Sequence, residues 1–140
     1  MAFGGRYQVS AYLMHSTLNA AEMAEHLPTL IPDKLVTAGE LSPRHKKPAS
    51  CSVWMTTFNP EFIDSEEHAL SSYLLVIVDR LIPYRKFFEE VGERGEACLE
   101  IAWFAHSSHS VAVLSPQIVT KVSQTGLTLD LQLYWSKGGK

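Results

Sequence analysis

Apolar and polar positions alternate with period two in several short stretches and with the helical period in others. Tyr7, Val9, Ala11 and Leu13 share one side of a stretch running to His15, with Gln8 and Ser10 opening the other, which predicts a first strand. Asn19 caps a predicted helix, with Glu22 at the capping-box position. Ala20, Met23, Ala24 and Leu27 form its stripe, and Pro28 stops it. Cys51 to Phe58 reads as a second strand, Val53 and Met55 facing one way, Trp54 and Phe58 the other. Asp64 is the expected cap of the main helix, with Glu67 at its capping-box position. Leu70, Tyr73, Leu74, Ile77, Val78 and Leu81 then follow i, i+3, i+4, i+7 spacing. Pro83 interrupts this pattern and opens a second short helix over Tyr84 to Val91, ended by Gly92.

Cys98 to Phe104 and His109 to Leu114 predict a third and a fourth strand, joined as a hairpin through residues 105–108. Ser115-Pro116 is a helix start, and Gly126 a stop. Leu127, Leu129, Leu131 and Leu133 then alternate with Thr128, Asp130, Gln132 and Tyr134, a strand with one buried and one wet face. The order is β-α-β-α-α-β-β-α-β. It predicts an α+β fold: a single mixed or antiparallel sheet of about five strands, with about three helical segments mainly on one face. No linker divides the chain, so residues 1–140 are expected to form one domain with its core in 7–135. Strand, cap and helix recur at Val9–Leu27 and Val111–Gln124, a faint echo of two related halves.

Residues 28–50 are irregular, punctuated by Pro28, Pro32, Gly39, Pro43 and Pro48. A connection of this length is unusual in a compact domain and is often functional. Its tip carries Arg44, His45, Lys46 and Lys47, suited to a phosphate or an acidic protein partner. No aromatic residue stands among them for base stacking, which argues against nucleic acid.

Composition narrows the class. Hydrophobic residues make up 46% and charged residues 19%, an ordinary globular balance, and the net charge of −3 supplies no global field for nucleic acid. The charge is uneven: residues 61–100 sum to −6, the first 60 to +1 and the last 40 to +2. The longest apolar stretch, Tyr73 to Val78, is too short to span a bilayer, and the opening MAFGGRYQV lacks the features of a secretory signal. A cytoplasmic location is the expectation.

Candidate chemistry is sparse. Cys51 and Cys98 lie in apolar runs and read as buried structural thiols rather than nucleophiles. His106 and His109 bracket a short turn and could share a metal ion, but they lack a nearby third ligand and read better as a polar turn. Glu66, Glu67 and His68 suit the first turn of a helix. Trp54, Tyr12 and Phe58, set on a wet sheet face, would form a binding or dimer surface. There is no phosphate loop and no G-x-S-x-G, H-E-x-x-H, C-x-x-C or EF-hand pattern. No catalytic residue, metal or cofactor is expected.

The ordered features resemble a bacterial family catalogued as a domain of unknown function, number 4279. They are Leu18-Asn19-Ala20-Ala21-Glu22-Met23, Ile31-Pro32-Asp33 followed by Gly39-Glu40, Ser52-Val53-Trp54, the long amphipathic helix, Leu114-Ser115-Pro116-Gln117-Ile118, and Gly126-Leu127 with Leu129-Asp130-Leu131 running into Tyr134. The resemblance covers about Tyr7 to Trp135. It departs at Leu27-Pro28, where a Leu-Gly step would be expected. It implies a small bacterial cytoplasmic α+β protein without assigned catalytic residues, of a kind sometimes suspected of immunity functions.

Two functions follow as expectations. One is a non-enzymatic protein-interaction module, immunity-like or self-associating as a homodimer, using Trp54 and Tyr12, the basic loop tip or the acidic middle. The other is a small-molecule binder or enzyme with a pocket under the 28–50 loop, using Arg44, His45, His15 or His68.

Overall fold

In a computed structural model, residues 4–41, 47–107 and 109–135 are described. Among them one open mixed sheet of six strands forms, one strand more than the sequence pattern predicts. The central strands are β1 (Gly5–His15) and β5 (Gly95–Ala105). They pair antiparallel over their whole length, Gly5 opposite Ala105 and His15 opposite Gly95. β3 (Ser52–Thr57) pairs with the second half of β1. β2 (Lys34–Val36) pairs with β3, and β4 (Ile63–Asp64) with Arg6 and Tyr7 of β1. β6 (Thr128–Trp135) runs parallel to β5 along the other side. The spatial order is β2-β3-β1-β5-β6, with β4 beside β1.

The helices are α1 (Ala20–His26), α2 (Leu70–Leu81), α3 (Arg85–Arg94) and α4 (Pro116–Gln124), with a 3-10 turn, Ile82–Tyr84, between α2 and α3. Their apolar stripes pack against odd-numbered positions of β1 and β5. Tyr7, Val9, Ala11 and Leu13 meet Leu99, Ile101 and Trp103 in one core with Met23, Leu74, Ile77, Phe88, Val91 and Ile118. Two caps are as expected: the Asn19 side chain accepts from the Glu22 N–H at 2.7 Å, and the Ser115 hydroxyl from the Ile118 N–H at 3.3 Å. Gly126 has φ +77°, the left-handed step that turns α4 into β6.

Four expectations are corrected. Within the 28–50 stretch, residues 34–36 form an edge strand and Leu41 bridges Pro48. The main helix begins at Leu70, with Ala69 at its cap. Asp64 instead ends β4 and builds a turn: its Oδ1 accepts from the Glu66 N–H, and its carbonyl from the N–H groups of Glu67 and His68. Strand pairing to Arg6 holds Asp64 extended, which removes it from the helix. Residues 109–114 form no strand. The Ser110 hydroxyl accepts from the Trp103 indole at 2.9 Å and donates to the Gly4 carbonyl at 2.8 Å, tying this segment across the start of β1. The echo between Val9–Leu27 and Val111–Gln124 fails with it.

Asn59 was invisible to the pattern. β3 ends before β1 does, and β4 begins only at Ile63. In the gap, Asn59 Oδ1 accepts from the Val9 N–H at 2.8 Å, and Asn59 Nδ2 donates to the Tyr7 carbonyl at 2.9 Å. One side-chain amide thus replaces a strand residue and satisfies buried backbone groups of β1.

Candidate functional site

The final strand carries the largest departure from the expected burial. Only Leu127, just before β6, is fully buried on its leucine side; Leu131 is 52%, Leu133 63% and Trp135 71% exposed. α4 returns the chain to β6, whose first apolar residues, Leu127 and Leu129, join the core, while the far half is bare. Val111 and Val113, also more than half exposed, belong to the segment between β5 and α4.

These residues border an apolar cleft of about 500 Å³. Trp103 and Ala105 of β5, Leu131, Leu133 and Trp135 of β6, and Ala112 form most of its wall, and Ser107 and Ser110 add hydroxyls. The volume falls in the range of ligand pockets. On the opposite face of the same strand ends, Phe104 stacks on Tyr134 at 4.6 Å between centroids, and Phe62 meets Phe104 edge-on at 4.9 Å. The far end of β6 is therefore apolar on both faces. Among the described residues its outer side has no neighbouring strand, because β6 ends the sheet.

The middle of the open face is polar. Register places Cys98 between Tyr12 and Thr128, and Glu100 between Ser10 and Asp130. The Tyr12 hydroxyl lies 3.5 Å from Asp130 Oδ2. A hydrogen bond with Cys98, together with burial and nearby carboxylates, pushes the Tyr12 phenol well above its usual range. Burial pushes the Cys98 thiol up as well, and burial with Asp130 beside it raises Glu100. Each shift favours the protonated form. Cys98 is thus a buried thiol rather than a thiolate nucleophile.

A third cluster joins residues far apart in the chain. His106 Nε2 lies 3.6 Å from Asp64 Oδ2, and one ligand atom each from Asp64, Glu66 and His106 falls within 4.8 Å of the others. His106 thus faces the β4 turn. The Ser65–Gly5 and His106–Gly4 backbone hydrogen bonds hold the two segments together. Glu66 is exposed and the pair is partly open to solvent, so a His–Asp contact in a surface turn accounts for the geometry.

The other predicted residues scatter. Trp54 is fully buried in the core, which corrects its assignment to a wet face: it stands opposite Leu13 and Leu35 on the helix side. Tyr12 is half-buried on the open face and Phe58 half-buried, with the Arg80 guanidinium 5.5 Å from its ring. Arg44, His45 and Lys46 lie outside the described residues; Lys47 is exposed. Glu66, Glu67 and His68 are in the turn before α2, not in its first turn. His15 is buried, its Nδ1 accepting from the N–H groups of Thr17 and Leu18. β2, within the 28–50 stretch, forms the sheet edge opposite the cleft.

A family model described as a domain of unknown function, DUF4279, matches residues 6–136. The chain belongs to this family. No curated protein and no solved structure matches it. The match begins at β1 and takes in the whole of β6, so the cleft and the bare edge both lie inside the DUF4279 region. Among the described residues, no helix of this DUF4279 protein is long and apolar enough to cross a membrane.

Proposed function

We propose that this DUF4279 chain is a non-enzymatic protein-interaction module of the bacterial cytoplasm, and that β6 with the adjoining cleft is its docking surface. The observation that carries this reading is the row Leu131, Leu133 and Trp135, all more than half exposed on a strand that ends the sheet. A strand edge offers backbone donors and acceptors to an extended segment, and alternate side chains give that segment its specificity. An immunity-like role is one form of this reading. Glu89, Glu90 and Glu93 of α3 are exposed as well.

The test compares proteins captured from the native cell extract by the wild-type chain and by the double variant Leu131→Lys, Leu133→Lys. Selective loss of a captured protein from the variant supports the reading, provided both baits melt at similar temperatures. Identical capture would refute it.

The cleft volume favours a second reading, a binder of a small apolar molecule, sited beside β6 rather than under the 28–50 loop. An apolar fluorescent probe that binds the wild-type chain stoichiometrically, and is displaced by a partner segment, would unite the two.

A further inference from the structure

We infer that the occupant of the β6 edge is a second copy of this chain, paired antiparallel through β6 about a twofold axis, so that two sheets become one. This deepens the docking surface just proposed and rests on it.

The two ends of the sheet are treated differently. β2 is three residues long and presents exposed Lys34, two features that blunt an edge against pairing. β6 is eight residues long and contains no proline, glycine or lysine. Among the described residues no strand pairs with its outer edge.

Self-pairing fits that pattern. A twofold axis perpendicular to the sheet pairs odd positions with odd and even with even, so the axis passes between one residue and its own copy. Centred on Leu131, Leu129 meets Leu133, Asp130 meets Gln132 and Thr128 meets Tyr134. Centred on Gln132, Leu131 meets Leu133, Asp130 meets Tyr134 and Leu129 meets Trp135. Asp130 is the only charged residue of β6. Neither register sets it against its own copy, so like charges do not oppose each other across the axis.

Pairing also completes the cleft. The leucines of the second copy enter on the helix side, beside Leu131, Leu133 and Trp135, and two half-open clefts become one apolar trough across the axis. An isologous interface of this kind closes on itself and leaves, among the described residues, the guarded β2 edge and the two-residue β4 free in each copy.

Light scattering and sedimentation of the full chain over a range of concentrations test the inference, with Leu131→Lys as the disrupting variant. The wild-type chain should be a dimer. The variant should weaken association at least tenfold while keeping its circular dichroism, and it should melt like the wild-type chain at concentrations where both are monomeric. In a Cys51→Ser background, Leu131→Cys or Gln132→Cys should form an intermolecular disulfide on mild oxidation, and the position that links identifies the register. A wild-type monomer at all concentrations overturns the inference. So does a dimer indifferent to Leu131→Lys that gives no cross-link. If the chain is monomeric yet the lysine variants still lose a captured protein, the second copy is refuted and the interaction reading stands. If capture is also unchanged, both fall.

Discussion

Glu100 and Asp130 stand side by side in register on the parallel strands β5 and β6, both on the open face of the sheet. Burial makes Glu100 costly to ionise, and repulsion from Asp130 adds to that cost. Its folded-state pKa lies above the ordinary value, so the folded chain binds that proton more tightly than the unfolded chain. The resulting penalty is absent below the unfolded pKa. It grows as pH rises through the two values and is complete above the folded one. Glu100→Gln should therefore stabilise the protein at pH 7 by ~0.2–1 kcal/mol, the range for cross-strand pairs. The gain should vanish near pH 3. Urea unfolding at both pH values checks this; an equal gain at pH 3 would exclude the electrostatic cause.

Asn59 bridges the gap between β3 and β4. Replacing it with alanine leaves the Val9 N–H and the Tyr7 carbonyl buried without their amide partner. Asn59→Ala should cost ~1–3 kcal/mol for each group left unsatisfied. Hydrogen exchange at Val9 should accelerate more than at Leu13, which separates a local opening from general destabilisation.

Trp54 is the largest fully buried side chain, and its indole N–H has no hydrogen-bond partner among the described residues. Losing that N–H should therefore add little to the cost of substitution. Trp54→Phe keeps an aromatic ring packed in the site and is expected to lose less than Trp54→Ala, for which ~3–5 kcal/mol is usual. Thermal unfolding of the two variants gives the comparison; equal losses would refute it.

Gly95 faces His15 at the end of the β1–β5 ladder, and a Cβ there would fall 2.1 Å from the Met14 carbonyl oxygen. Backbone cannot yield as a side-chain tip does. Gly95→Ala should destabilise by ~1–3 kcal/mol, whereas Gly92→Ala, with nothing within 4 Å of the added carbon, should not. Melting temperatures of the pair test this contrast within one turn of chain.

The fold class was legible because β1, α2 and β6 repeat their periods over many residues. Asn19 and Ser115 also marked helix starts through chemistry local to the chain. What misled was equally physical. Asp64, with Glu67 three residues on, carries a capping signature, but pairing with Arg6, 58 positions earlier in number, holds it in a strand. Residues 109–114 alternate like a strand, yet hydrogen bonds to Gly4 and Trp103 take them across the sheet. Trp54 looked exposed because its polar neighbours were assigned to its own face; Ser52 and Thr56 do share that face, and both are buried with it. The β6 surface could not be read at all from alternation. Periodicity says which residues share a face, and only the packing of the helices says how much of that face is covered.

The pairing of Gly5 with Ala105 has a consequence for how the molecule is made. During synthesis β1 leaves the ribosome first, yet its longest partner, β5, is complete only some hundred residues later. The most deeply buried strand of the sheet must wait with only the shorter β3 and β4 beside it, or with neither. Folding dominated by such distant pairings is slow, and a waiting strand is exposed to aggregation. Expression yield should therefore depend on temperature and chaperone supply more steeply than the stability of the finished fold would suggest.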